Sequence, residues 1–318
     1  MRKLWIDTDG GSDDAVAIMM AMLDKDTEVL GISTVVGNTP IKQVNSNVLW
    51  SLEQCCIHTG CDIVDVYSGC SQPLLGPKTR HAFETHGNDG LGDLGFSPSA
   101  CLEVQSQFGP QSIVNMLLDN EVNTIDIIAL GPLTNLAVAM HINRDVLSRA
   151  KSITIMGSAG LGIGNVTPLA EFNIWYDAEA AKLLLDSTID VNLTFVGWDA
   201  CLYDAIFSEG DCKHFRSLSE LGRLAIDCNQ SLVNLNLERF KIACIDFADP
   251  VAMATVLWPS CIKYRERYHC DIDTLPGLGY GAFIIDRHHD FEGTPNATVI
   301  SKIHADIYKT KMKKLFRL

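Results

Sequence analysis

The chain has 318 residues, 47% of them hydrophobic and 20% charged, with a formal net charge of −14. That is long enough to bury a sizeable core, and too acidic to favour a nucleic-acid partner. No run of about 18 apolar residues offers a membrane span, no signal peptide opens the chain, and the 11 cysteines lack paired metal spacing.

A cytoplasmic protein with buried free thiols is therefore expected. The cluster Cys55, Cys56 and Cys61 falls under the same reading. The Asn-x-Thr triplets at Asn165, Asn192 and Asn296 are then chance matches.

In chain order, residues 4–6 read as a buried strand and 15–23 as an apolar helix. Between them, Asp7-Thr-Asp-Gly-Gly-Ser-Asp-Asp14 packs four carboxylates into eight residues. Crowded carboxylates repel one another, so no fold gains stability from them alone. They become favourable around a cation, and hard cations take oxygen ligands. Helix capping accounts for Ser12 and one or two aspartates. It does not account for Asp7 and Asp9 at a strand end.

Further strands are predicted over 29–36, 125–130, 152–156 and 191–196, each rich in Val, Ile or Leu and closed by a turn residue. Helices are predicted over 41–56, 110–118, 134–142, 178–185, 210–234 and 249–257. This alternation gives an α/β fold: an open, mostly parallel central sheet with helices on both faces. No repeat or linker divides the chain, so one domain over 1–318 is expected. Glycines follow several strands, at Gly37, Gly131, Gly157 and Gly197. Together with the acidic loop they outline a crevice at the carboxyl ends of the strands, where open α/β sheets bind ligands.

Three further segments carry polar groups. Asn165, Glu171 and Asn173 follow a glycine-rich loop and suit sugar hydroxyls; a polar surface loop capping its own turns is the simpler alternative. His86-Gly-Asn-Asp-Gly-Leu-Gly92 reads either as a mobile lid or as an ordinary surface loop. Asp246-Phe-Ala-Asp249-Pro250 places an N-cap and a first-turn proline before a helix. The basic tail, residues 309–318, reads as a solvated terminal helix or a frayed end.

Together these segments resemble the inosine-uridine-preferring nucleoside hydrolases over residues 3–305. The most specific element is Asp7-Thr-Asp-Gly-Gly-Ser-Asp-Asp-Ala15, similar to the family's Asp-x-Asp-Pro-Gly-x-Asp-Asp-Ala with Gly10 at the proline. Thr34-Val-Val-Gly-Asn38, Ala129-Leu-Gly-Pro-Leu-Thr-Asn135, Met156-Gly157, the segment 165–173 and Asp249-Pro250-Val-Ala252 follow in the family's order. The resemblance implies a Rossmann-like nucleoside hydrolase fold and hydrolysis of the N-glycosidic bond of ribonucleosides. It implies a Ca²⁺ ion held by Asp9, Asp14, Asp249 and the Leu130 carbonyl, with Asp9 also the base for the attacking water. Asp13 would bind the ribose 2′-hydroxyl; Asn38, Asn165, Glu171 and Asn173 would hold the sugar, with Met156 against it. Asn38 is placed with Asp9 in the catalytic set, His86 with the substrate-binding set, and Asp249 in both the metal and substrate sets. Asp7 would orient the loop from behind. A homodimer or homotetramer is implied, with no nucleic acid or membrane partner.

The chain departs from the family at Ala248, where many members carry the histidine that protonates the leaving base. Another group would have to serve, among them His86, Tyr203 or a residue in a loop over 236–241. Otherwise aromatic stacking activates the leaving group, or turnover is slow. A non-catalytic riboside binder is thus the first alternative. An Asp-x-Asp phosphatase is the second: Asp7-Thr-Asp-Gly10 fits its opening, but the Asp13-Asp14 pair falls too early for its later acidic motif.

Overall fold

Strand and helix alternate from the first residues of the computed structural model, which describes residues 1–76, 78, 80–187, 191–288, 290 and 293–318. The first half runs β1 (Arg2–Thr8), α1 (Ser12–Leu23), β2 (Thr27–Thr34), α2 (Ile41–Thr59), β3 (Val66–Ser68), α3 (Phe83–His86), α4 (Gly109–Asp119), β4 (Ile125–Ala129), α5 (Thr134–Ile142) and β5 (Ser152–Met156). Next come α6 (Phe172–Tyr176), α7 (Ala178–Asp186), β6 (Leu193–Val196), β7 (Phe207–Ser208), α8 (Glu209–Arg216), α9 (Glu220–Asp227), α10 (Gln230–Phe240) and β8 (Cys244–Ile245). The chain closes with α11 (Ala248–Leu257), β9 (Ile262–Tyr268), β10 (Cys270–Ile272), β11 (Phe283–Ile285), β12 (Ala297–Ile303) and α12 (Ala305–Leu315).

The central sheet has the order β3-β2-β1-β4-β5-β6-β12-β9, parallel throughout except where β9 meets β12. The alternation of β1 shows why it sits in the middle. Leu4 and Ile6 enter one core, with α1, α2 and α11, while Trp5 enters the other, with α4, α5 and α7. A strand buried on both faces needs this unbroken apolar run. Helix α1 is buried on every side from Ser12 to Ala21, which its Ala, Val, Ile and Met content permits. Ile18, Met19 and Met20 are fully enclosed, each contributing about 1.5–3 kcal/mol by burial.

From β1 the chain moves to β2 on one side and later to β4 on the other. The loops that leave the carboxyl ends of β1 and β4 therefore diverge, and a crevice opens between them.

Three expectations are corrected. The helix expected over 210–234 is three helices, α8 to α10, because Ser219 caps a new start by accepting from the Gly222 N–H at 3.1 Å, and the chain turns again at Asn229. Sheet strands β3, β9 and β12 were not anticipated. β9 is Ile-Lys-Tyr-Arg-Glu-Arg-Tyr, charged because it is an edge strand.

The basic tail is not solvated. Tyr308, Met312 and Phe316 recur at helical spacing and are fully buried, while Lys309 and Lys313 hold the Asp211 carboxylate at 3.1 and 2.9 Å. Among the thiols, Cys55 is buried, but Cys56 and Cys61 are half-buried, with sulfurs 3.4 Å apart. Among the described residues no helix is long and apolar enough to cross a membrane.

Candidate active site

The acidic loop turns at Gly10, where φ is +62°. Glycine reaches that region freely, whereas a proline ring fixes φ near about −65°. This turn thus explains a glycine where the family pattern has proline. A second close approach lies at Gly37, where an added Cβ would fall 2.0 Å from Asp9 Oδ2. That space lets the Asn38 N–H donate to Asp9 Oδ2 at 2.8 Å.

The carboxylates are layered. Asp7 lies deepest, its Oδ1 accepting from the Ser33 hydroxyl and from Asn135 Nδ2 at 2.7 Å. Burial pushes its pKa up to about 7. Asp14 accepts from the Thr8 hydroxyl, from the Gly11 N–H at 2.8 Å and from Asn38 Nδ2 at 3.2 Å. Burial, then the Asp13 charge, raises it to about 7. Asp9 and Asp249 are raised well above the usual carboxylate range, first by burial and then by the neighbouring aspartates.

Ligand atoms of Asp13, Asp14 and Asp249 lie within 4.8 Å of one another. Asp9 Oδ1 is buried with no hydrogen-bond partner. Among the described residues no Lys or Arg pairs with any of these aspartates; the one titratable basic ring near them is His86, whose Nδ1 lies 3.6 Å from Asp13. Buried carboxylates left in this state call for a cation. An all-oxygen donor set suits a hard one.

Above this layer lies a cavity of about 430 Å³. Its lining includes Asp13, Asn38, His86, Leu130, Met156, Asn165, Glu171, Asn173, Ala248 and Asp249. Asp9 and Asp14 are fully buried behind that lining. The end of β4 and the start of α6 meet through Asn173, whose Nδ2 donates to the carbonyls of Leu130 at 2.7 Å and Met156 at 3.1 Å. Glu171 caps α6, accepting from the N–H groups of Asn173 at 2.9 Å, Ser158 at 3.2 Å and Ile174 at 3.3 Å. Burial outweighs these bonds and raises its pKa to about 7. Asn165 Oδ1 accepts from the Phe172 N–H at 2.9 Å. The cavity thus presents a carboxylate floor and an amide-rich wall, a pattern suited to a polyhydroxylated sugar.

Known proteins resemble this chain in sequence and fold. The sequence model described as inosine-uridine preferring nucleoside hydrolase matches residues 4–310. The chain belongs to that family. It is accordingly an enzyme of the N-glycosyl hydrolase class. Uridine nucleosidase 1 of Arabidopsis thaliana is 32% identical over 269 residues, covering 83% of this chain and 76% of that protein. The inosine-uridine preferring nucleoside hydrolase of Leishmania major is 30% identical over 288 residues, 90% and 88% of the two chains. A solved plant nucleoside hydrolase superposes with a TM-score of 0.89 at 26% identity, over 99% of each chain.

Measured against the nucleoside hydrolase pattern, the leaving-group end is where the sequence-based candidates scatter. Tyr203 is 79% exposed and does not line the cavity, because its short turn faces outward. Residues 236–240 are the end of helix α10 rather than a loop, and Asn236, Arg239 and Phe240 line the cavity. His86 does line it, but it is no exposed start to a lid. It is buried, its Nδ1 accepts from the Ser12 N–H at 3.2 Å, and the Ser12 hydroxyl lies 2.9 Å away. Burial lowers its pKa against the pull of Asp13.

His81 and Trp198 are among the lining residues that escaped the sequence reading, and Asn236 and Asp246 fell in segments it named without being singled out. His81 Nδ1 bonds the Gly37 carbonyl at 2.7 Å. Asp246 was visible only as part of an acidic pair whose other member explained the helix start. Burial raises its pKa, opposed by donation from Asn236.

Proposed function

We propose that this nucleoside hydrolase splits ribonucleosides with the help of Ca²⁺, giving ribose and the free base. The observation that carries this reading is the unpartnered Asp9 Oδ1 beside Asp14 and Asp249, under a cavity walled by Asn38, Asn165, Glu171 and Asn173. Asp13, Asp14 and Asp249 already bring ligand oxygens together, and with Asp9 and the Leu130 carbonyl they would make an all-oxygen donor set that fits a calcium ion. Bound there, the ion supplies positive charge that eases deprotonation of a water and orients a diol.

The chain's own residues do the rest. Asp9 takes the proton of the attacking water through Oδ1, while Oδ2 stays anchored by the Asn38 N–H. Asp13, Asn38, Asn165, Glu171 and Asn173 bind the ribose hydroxyls, and Met156 packs against the ring. The C–N bond breaks as positive charge builds on the sugar, as in glycoside hydrolysis generally. The buried carboxylates favour that charge. Water oxygen joins the sugar carbon, and the base departs with the bond electrons and gains a proton. The family resemblance further supports a homodimer or homotetramer in the cytoplasm.

Ala248 favours one second reading, a riboside binder without turnover. A panel of inosine, uridine, adenosine, guanosine and cytidine, assayed with and without a Ca²⁺ chelator, separates the two. Base release that chelation abolishes is expected. Calorimetric binding without release from any nucleoside would establish the binder.

A further inference from the structure

Ala248 offers the leaving group a methyl, yet polar side chains line the same cavity among the apolar ones. Asp246 lies two residues earlier and lines the same cavity, as does Asn236 of α10. The Asn236 amide is fixed. Its Nδ2 donates to the Cys244 carbonyl at 3.1 Å and to Asp246 Oδ1 at 2.7 Å. A side-chain amide has two N–H donors and one carbonyl, so both donors are spent. Flipping it would set an oxygen against two acceptors. Asn236 Oδ1 is thereby left as an acceptor, and both hydrogen bonds of this side chain among the described residues run from Nδ2. Asp246, which accepts from Asn236 and from Trp198, adds a carboxylate with lone pairs still to share beside it.

We propose that Asn236 Oδ1 and the Asp246 carboxylate read the nucleobase, and that they select nucleosides whose base carries an exocyclic amino group. An amino group offers two N–H donors, one for each acceptor. Uracil and hypoxanthine present a carbonyl oxygen where cytosine and adenine present that amino group. An oxygen there leaves buried acceptors facing one another, and a site built to bond a donor rejects an analogue lacking it. This inference rests on the hydrolase reading and names its substrate class.

The test uses the full-length protein with Ca²⁺ and two matched pairs, cytidine against uridine and adenosine against inosine. Base release is measured as kcat/KM, and binding of the four free bases by calorimetry. The amino-bearing member of each pair is expected to lead by about tenfold or more. Asp246→Asn removes the carboxylate and one of the two acceptors offered to the base, so the preference for the amino-bearing member is expected to shrink toward parity. Equal or better use of uridine and inosine by the wild type would overturn the inference, as would an unchanged ratio in Asp246→Asn. If no nucleoside is cleaved but cytosine and adenine still bind more tightly than uracil and hypoxanthine, the base reader stands and the hydrolase reading falls. Equal binding of all four would overturn the base reader.

Discussion

The Asn38 N–H donates to Asp9 Oδ2 at 2.8 Å, tying the end of β2 to the end of β1. The bond occupies one carboxylate oxygen and leaves Oδ1 free. Asp9→Asn keeps an acceptor for that N–H and removes the base. The fold should survive while kcat falls by about 10²–10⁴, the usual contribution of general base catalysis. Circular dichroism with single-turnover kinetics checks both halves, and an Asp9→Asn enzyme as fast as wild type would remove Asp9 from the reaction.

Gly37→Ala tests the same contact by crowding. The new Cβ would meet Asp9 Oδ2 at 2.0 Å, so the loop must shift. Overpacking of this kind costs about 1–3 kcal/mol. Urea unfolding should report that loss together with a fall in activity; a variant with wild-type stability would show that the strand ends yield freely.

Removing the cation should act on stability as well as on turnover. Asp9, Asp14 and Asp249 are buried together without a basic partner among the described residues. Stripped protein should therefore melt earlier. Ca²⁺ at about 100 times its Kd should restore about 2.7 kcal/mol by linkage. Asp14→Asn should blunt that recovery, and a melting temperature indifferent to Ca²⁺ in both proteins would count against the ion.

Ala248→His adds a proton donor beside the base. Release of hypoxanthine from inosine should rise, by up to about 10²–10⁴ if the imidazole is well aligned. A fall instead would mean that wild-type catalysis already uses another donor or needs none.

The C-terminal helix carries a pH dependence of known sign. Burial pushes the Asp211 carboxyl up, but hydrogen bonds from Lys313 and Lys309 outweigh it and hold the group well below the usual carboxylate range. A depressed folded pKa gives stability that is present above the unfolded value, near about 3.9. That stability is lost as pH falls through the folded value. Acid unfolding of the wild type should thus include a step below about pH 4. Asp211→Asn should lack that step and be less stable at pH 7 by about 0.2–1 kcal/mol for each partly exposed ion pair.

The acidic loop, the parallel strands β1, β2, β4, β5 and β6, and the polar residues that line the cavity from 165 to 173 were legible in the sequence. Each is a local pattern: a strand ending in carboxylates, an apolar run of fixed length, a polar set after a glycine loop. Local patterns also placed α5 and β5 to the residue.

What the tertiary structure decided was which distant residues share a cavity. Asn236 and Asp246 lie ten positions apart, on a helix and on the segment entering the next, and their amide-to-carboxylate bond brings both to the wall of one cavity. His86 reads as the start of a glycine-rich loop, yet α1 and Asn229 enclose it by way of Ser12. The tail reads as solvated because four lysines and an arginine crowd its ten residues, but Met312 and Phe316 fall on one helical face with Tyr308 and find a groove. Periodicity and residue chemistry are properties of a segment, so the sequence determined the elements and the acidic loop. Burial and the pairing of donors with acceptors depend on what packs opposite, and only the assembled fold supplies that.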